Sequence, residues 1–282
     1  MRRGKVYLVG AGPGDPGLLT IRGRELLQTA DVVYHDGLVS PELLRQIPRD
    51  VRKVRVGKGR RPREKFPQSR LNELRVAEAK AGRKVVRLKG GDPFLLSRGG
   101  EEVEALRESG IPLEVVPGVS SALAAPAFAG IPLTDRRWAS SVAIATGHES
   151  RTAARRTVDW AGLSRSADTL VILMGVSTLP RIARALLGAG LPRATPVAAI
   201  RWATTPRQRT ILFTLGEALR KGVRDRLRSP SVFVVGPIAT QASRLRWNPR
   251  EIRWASSGFV RAAKQGRREA PVRERPERPS DR

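Results

Sequence analysis

Residues 84–98, Lys-Val-Val-Arg-Leu-Lys-Gly-Gly-Asp-Pro-Phe-Leu-Leu-Ser-Arg, constrain the fold of this chain more than any other stretch. Val85, Val86 and Leu88 make a short β-rich run that halts at Gly90-Gly91-Asp92-Pro93, because glycine admits positive φ and proline cannot extend a ladder. Gly99-Gly100-Glu101-Glu102 then sets acidic residues in the first turn of a helix. A buried strand, a glycine loop and a helix in that order suit an open α/β sheet, whose ligands sit outside the carboxyl ends of the strands. The loop reads either as a ligand loop or as a tight βα turn with Asp92 as a local cap.

The same unit recurs along the chain. Residues 5–9 form a strand that runs into the glycine loop 10–16, Thr20 caps a helix carrying Ile21, Leu26 and Leu27, and a strand over 31–35 ends at Asp36. Ser40-Pro41 marks the start of a helix over 41–47, a strand over 51–56 ends at Gly57-Lys58, and Gly82 closes a helix over 67–81. A strand over 113–116 ends in Pro117-Gly118, and Ser120-Ser121 caps an alanine-rich helix. Further on, strands are predicted over 142–146, 170–174, 197–200, 210–214 and 232–235, with helices over 180–187 and 215–222. Alternation in both halves predicts two α/β domains with mostly parallel or mixed sheets. The N-terminal domain with the glycine loops is expected over 1–136, a C-terminal α/β domain over 137–246, and a basic, disordered tail over 247–282.

The absence of cysteine excludes thiol nucleophiles and cysteinyl metal sites in this chain, and with only His35 and His148 no histidine-built metal site is expected. The basic start lacks a long apolar run, and residues 122–133 are broken by Pro126, Gly130 and Pro132, so a cytoplasmic protein with no membrane partner is expected. The formal charge is +27; residues 261–282 hold 8 basic and 4 acidic residues, a net +4, which leaves 27 − 4 = +23 on the rest. This charge is scattered arginine with few aromatics, either a solvated surface or a field that gathers a polyanionic small molecule, and no nucleic acid is expected.

Gly10-x-Gly12 after a strand, with Asp36 ending the next, invites a dinucleotide reading. That reading weakens because position 15 is aspartate, Pro13 and Pro16 intervene and the helix starts late; no Gly-Lys-Ser/Thr makes a phosphate loop either. What remains is a set of strand-end loops that should converge on one sheet edge: 10–16, Asp36, Gly57-Lys58, 90–93 and 117–121. In this order they closely resemble the tetrapyrrole methylase family. The matching stretches are Val-Gly-Ala-Gly-Pro-Gly-Asp-Pro (9–16), Asp36 with Leu-Val-Ser (38–40), Val-Gly-Lys (56–58), Val-Val-Arg-Leu-Lys-Gly-Gly-Asp-Pro-Phe (85–94) and Arg-Gly-Gly-Glu-Glu (98–102). They continue with Val-Val-Pro-Gly (115–118), Ala-Gly-Ile-Pro-Leu-Thr (129–134), Thr-Gly-His (146–148) and Met-Gly (174–175).

The resemblance implies a homodimer of two α/β domains with a ligand cleft between them that holds S-adenosylmethionine, no metal, and C-methylation of uroporphyrinogen III at two pyrrole carbons to give precorrin-2. Carried over by position, the donor's contacts fall on Pro13, Gly90, Gly91, Asp92, Leu95, Ser120, Ser121, Met174 and Ala203, with Asp36 as proton acceptor and Lys58 as proton donor. Judged alone, Met174 reads as core packing, and Asp36 with Lys58 as an ion pair at neighbouring strand ends. Arg87, Lys89 and Arg98, basic residues near the loops, are the candidates for holding substrate carboxylates. The chain departs from the family at Gly37, where arginine is frequent, and at Ser97, Ser120 and Asp135, where glycine, threonine and histidine are usual. Those departures leave a later corrin precursor open as substrate. An RNA methyltransferase of a distant branch is a further alternative, although its Ser-Asp-Ala-Gly-Thr-Pro motif is missing. The sirohaem and cobalamin routes both stay open.

Overall fold

The computed structural model describes residues 4–56, 67–148 and 158–247, with the backbone of 252–254. In the first half, strands β1 (Lys5–Gly10), β2 (Val32–Asp36), β3 (Arg52–Val56), β4 (Lys84–Lys89) and β5 (Leu113–Val116) form one parallel sheet in the order β3-β2-β4-β1-β5. Helices α1 (Ile21–Gln28), α2 (Pro41–Leu44), α3 (Gln68–Lys80) and α4 (Gly99–Glu108) make the connections. The chain moves towards β3 through α1 and α2 and back towards β5 through α3 and α4. Right-handed crossovers therefore put the two pairs of helices on opposite faces.

Strand parity fits this arrangement. Val9, Val33, Val86 and Leu88 pack with Leu26, Leu27 and Leu43 on one face; Val6, Leu8, Val32, Tyr34 and Val85 pack with Leu71, Ala79 and Leu106 on the other. Caps set the helix starts, as Thr20 Oγ1 accepts from Gly23 N at 3.1 Å and Ser40 Oγ from Leu43 N at 3.3 Å. Helix α2 stops at Leu44, short of the predicted residue 47, and the chain beyond it tightens into turns in which Gln46 N donates to Leu43 O and Ile47 N to Leu44 O.

Glu114 of β5 ties this half together at its rim. Its carboxylate meets Lys5 Nζ at 2.8 Å and Arg22 Nε at 3.0 Å, and the hydrogen bonds from Arg22 and then Lys5 hold its pKa at about 2. A carboxyl held that low contributes stability that is complete above its unfolded value of 4.5 and is lost as the pH falls through about 2. Glu114→Gln is expected to lower the unfolding free energy by about 1 kcal/mol at neutral pH, after allowance for screening of the exposed partners. Denaturant unfolding should show that deficit shrinking between pH 4.5 and pH 2.

Helix α5 (Ser121–Phe128) leaves the first sheet and packs on the second. Ala122, Ala125 and Ala129 lie against Val171, Ala198 and Val234, small side chains that let a helix approach a sheet closely. The second sheet is mixed, in the order β11 (Ile252–Trp254), β9 (Arg209–Thr214), β8 (Pro196–Arg201), β10 (Ser231–Val235), β7 (Thr169–Leu173), β6 (Val142–Thr146). Its inner strands are antiparallel and its two edge pairings parallel. Helices α6 (Trp160–Ser166) and α7 (Leu179–Gly188) cover its other face through Trp160, Leu179, Ile182 and Leu186.

Three details differ from the sequence reading. Helix α6, capped by Asp159 Oδ1 accepting from Gly162 N at 2.9 Å, was not predicted. The helix predicted over 215–222 is a 3-10 turn at Glu217–Leu219 followed by the short α8 (Lys221–Arg224), since the Glu217 carboxylate turns back to accept from Thr214 N at 2.9 Å. Part of the stretch read as tail is structured: β11 extends the sheet beside β9, and Trp247 Nε1 donates to Ala127 O at 2.8 Å while its ring meets Phe128 edge-on. Residues 261–282 lie outside the described residues. Among the described residues no helix is long and apolar enough to cross a membrane.

Candidate active site

Because β1 to β5 are parallel, their following loops leave from one edge, and the glycines let those loops interlock. A Cβ on Gly10 would stand 2.5 Å from Gly118 Cα and 2.7 Å from Gly91 O, so the ends of β1, β4 and β5 meet where no side chain fits. Gly12 and Gly91 exchange backbone bonds of 3.2 and 2.8 Å, and both adopt positive φ. A Cβ on Gly91 would lie 3.8 Å from Ser121 N, across the gap between this loop and the start of α5, where Ser120 Oγ accepts from Ala122 N at 3.2 Å. At Gly90 a Cβ would meet only Leu38, 3.7 Å away. The result is a cradle floored by backbone.

The second half supplies the opposite wall. Gly14, at φ 146°, presses on residues 203–205, and Asp15 N donates to Thr204 Oγ1 at 3.0 Å. Pro13 is thereby brought beside Ala203. Leu95 packs against the cluster of α5 and the second sheet that includes Ala203 and Leu173. Met174 follows β7 at φ 58° and is 48% exposed, so it is not a core residue. Trp202 and Thr204 after β8 also hold positive φ, and such strain in non-glycine residues gathers at ligand clamps. The contacts thus bring Gly90, Gly91 and Asp92 to the 117–121 segment, Leu95 to the cluster that contains Ala203, and Gly14, next to Pro13, to residues 203–205, while Met174 follows β7; the gap these segments bound is the candidate cleft.

Asp92 has a structural task in that cleft. Its Oδ1 accepts from Phe94 N at 2.7 Å and Leu95 N at 3.0 Å, and its Oδ2 from Gly118 N at 3.1 Å, so it clamps the 90–95 loop to the 117–118 loop. Asp92→Ala is expected to reduce unfolding free energy by about 1–3 kcal/mol and to weaken ligand binding in parallel. Calorimetry beside a denaturation curve separates this from direct ligand contact alone, for which stability would not move.

Asp36 closes the site from β2. Arg87 Nη2 lies 2.5 Å from its Oδ1 and Gly90 N donates to its Oδ2 at 3.2 Å, while about a third of the side chain stays open to solvent. The expected neighbour Lys58 lies outside the described residues. Arg87 and Lys89 are corrected by the structure: as carboxylate holders they would have to reach out, yet they are 4% and 2% exposed. They share the face of β4 with Val85 and point under α3 and α4, where Glu102 accepts hydrogen bonds from Lys89 Nζ and Arg75 Nη1, each at 2.5 Å, and lies 3.3 Å from Arg87 Nε as an ion pair without a hydrogen bond. Burial pushes the Glu102 carboxyl up, but Arg87, Arg75 and Lys89 together pull it below the usual carboxylate range. Burial, and then Arg87, push the Lys89 ammonium down. Arg98 is exposed and pairs with Glu101 at 2.5 Å. It enters helix α4 at φ 62°.

Sequence reasoning missed Arg75 and Glu102, the second layer that holds Arg87. The signal was present in strand parity, because Arg87 alternates with Leu88 and so shares a face with Val85 rather than with the loop. Among the described residues no group of three or more His, Cys, Asp or Glu side chains is arranged to hold a metal ion.

Interlocked glycine loops at the carboxyl ends of a parallel sheet, facing a strained second-half wall, define a protein that binds a small molecule at its strand ends. The description of tetrapyrrole (corrin/porphyrin) methylases matches residues 5–219, and the chain belongs to that family. It is 48% identical over 246 residues to a siroheme synthase of Chromobacterium violaceum, covering 87% of this chain and 52% of that one. The chain thus spans about half the length of that relative. It is 45% identical over 243 residues to the uroporphyrinogen-III C-methyltransferase of Synechocystis, covering 86% of this chain and 92% of the relative. The crystal structure of uroporphyrin-III C-methyltransferase from Thermus thermophilus complexed with S-adenosylhomocysteine superposes with a TM-score of 0.71 at 39% identity, over 83% of this chain and 92% of that one.

Proposed function

We propose that this chain methylates uroporphyrinogen III at two pyrrole carbons, from S-adenosylmethionine, to give precorrin-2. The observation that carries the reading is the backbone-floored cradle of Gly90, Gly91 and the α5 start, opening beside the ion-paired carboxylate of Asp36. The residues present fit the donor: a helix start at Ser120-Ser121 suits a carboxylate, and Leu95 offers an apolar surface. The relatives' names support the substrate, and the match over 92% of the Synechocystis enzyme supports methyl transfer as the reaction.

S-adenosylmethionine, when bound, supplies an electrophilic methyl group on a sulfonium. Attack by a pyrrole carbon on that methyl would break its bond to sulfur, release S-adenosylhomocysteine and leave positive charge on the ring; a carboxylate at Asp36 stabilises that charge and takes the compensating proton, which the macrocycle loses from a ring nitrogen or a bridging carbon because the methylated carbon bears none. Arg87 and Gly90 N hold that carboxylate in one orientation. Lys58 as proton donor, a homodimeric state and a cytoplasmic location are parts of the same proposal. Labelled S-adenosylmethionine offered anaerobically with uroporphyrinogen III or with RNA tests it. Label in the tetrapyrrole is expected, and label in RNA alone would sink the reading.

A further inference from the structure

We infer that Arg55 is a carboxylate-binding residue on the substrate side of the cleft, seated there because position 37 has no side chain. Arg55 of β3 stands opposite His35 of β2 in the parallel register, and its guanidinium runs forward over the turn at 36–38. A Cβ on Gly37 would lie 2.9 Å from Arg55 Nη2, 3.3 Å from Nε and 3.5 Å from Cζ. Gly37 does not use the positive φ that favours glycine, so what it provides here is room.

The turn that carries the guanidinium lines the cleft. Asp36 on one side of Gly37 receives the Gly90 amide, and Leu38 on the other, 59% exposed, is the residue a Cβ on Gly90 would touch. Two other exposed arginines of this half, Arg22 and Arg98, are paired with glutamates, whereas Arg24, Arg49 and Arg107 have no ion pair among the described residues; what sets Arg55 apart is its place over the 36–38 turn. Among the described residues no carboxylate pairs with Arg55, while nearby Asp36 is taken up by Arg87 and Gly90. His35 does not compete as a cation, because burial holds its imidazole below the ordinary value and the charge of Arg55 adds to the push.

A planar fork of five donors that no carboxylate among the described residues occupies, at the rim of a site for an octa-acid, matches one substrate carboxylate in bidentate fashion. This deepens the proposed tetrapyrrole reading and rests on it. It also supplies the guanidinium that the departure at Gly37 had left missing.

The test uses uroporphyrin III, the oxidised octacarboxylate that cannot be methylated in the same way, as a fluorescent binding probe. Arg55→Ala should weaken its binding about tenfold, Arg55→Lys should recover part of that loss, and Gly37→Leu should weaken it comparably by taking the place of the guanidinium. Calorimetric affinity for S-adenosylmethionine and the melting temperature of Arg55→Ala should match the wild type, which a merely structural role would not allow. Equal affinity of wild type and Arg55→Ala for uroporphyrin III, or a parallel loss of donor binding, would overturn the inference, as would a wild type that does not bind the octa-acid. Failure of the wild type to methylate uroporphyrinogen III would instead overturn the functional reading, and the binding comparison reports on Arg55 in either case.

Discussion

Asp36→Asn should lower kcat for tetrapyrrole methylation by about 10²- to 10⁴-fold, the range for removal of a positioned proton acceptor. The variant keeps the shape of the side chain but not its contacts. In the native site one oxygen faces Arg87 Nη2 and the other the Gly90 amide, both donors. An asparagine can offer its single oxygen to one of them and must turn its own NH2 towards the other, a conflict that costs about 1–3 kcal/mol of stability. The cradle beyond Gly90 is held independently by the Gly12–Gly91 bonds and by Asp92. Donor affinity should therefore change by less than about threefold while kcat collapses, the pattern of an interaction made in the transition state. Steady-state kinetics with calorimetry on the same preparation checks it, and a large loss of donor affinity with kcat retained would remove Asp36 from the chemistry.

Glu102→Gln should produce the largest stability loss, about 3–5 kcal/mol, the cost of leaving buried charges without their counter-ion. Arg75, Lys89 and Arg87 all converge on this carboxylate, which is 1% exposed. Glutamine could accept from one of them, and its NH2 would press on another. A drop of about 10 °C in Tm follows for a chain of this size. The deficit should also depend on pH. Lys89 already has a folded pKa below its ordinary 10.5 and would be lowered further, so its proton is lost from the folded chain first. Between the variant's folded value and the wild type's, only in the variant does the unfolded state bind one proton more than the folded, so part of the deficit should recover as the pH rises through that window below 10.5. Because Arg87 touches both Glu102 and Asp36, the same variant should lose kcat as well. A variant as stable and as active as the wild type would show that the buried network does not support the site.

The first sheet was legible because its signals are local. Every strand ends in glycine, aspartate or proline, and Thr20, Ser40 and Ser120 cap the helices that follow, as the structure shows. The second half was less so. Its strands stood out as apolar runs, but helix α6 lies near residues with little apolar periodicity, and β11 owes its place to pairing with β9, a contact distant in sequence. The convergence of the donor loops followed from the rule that parallel strands present their carboxyl ends together. Arg87 and Lys89 were misplaced because nearness to a loop in sequence was read as nearness to the cleft, whereas strand alternation turns both under the helices. Arg55 was invisible for the opposite reason, since its partner is the missing side chain of Gly37 on a neighbouring strand.

The mass of the tetrapyrrole recovered after anaerobic incubation with S-adenosylmethionine tests the central claim most directly. A product of uroporphyrinogen III carrying two added methyl groups, formed by the wild type and not by Asp36→Asn, is the result predicted here. Unchanged uroporphyrinogen III, with methylation seen only when a later corrin precursor is supplied, would contradict it.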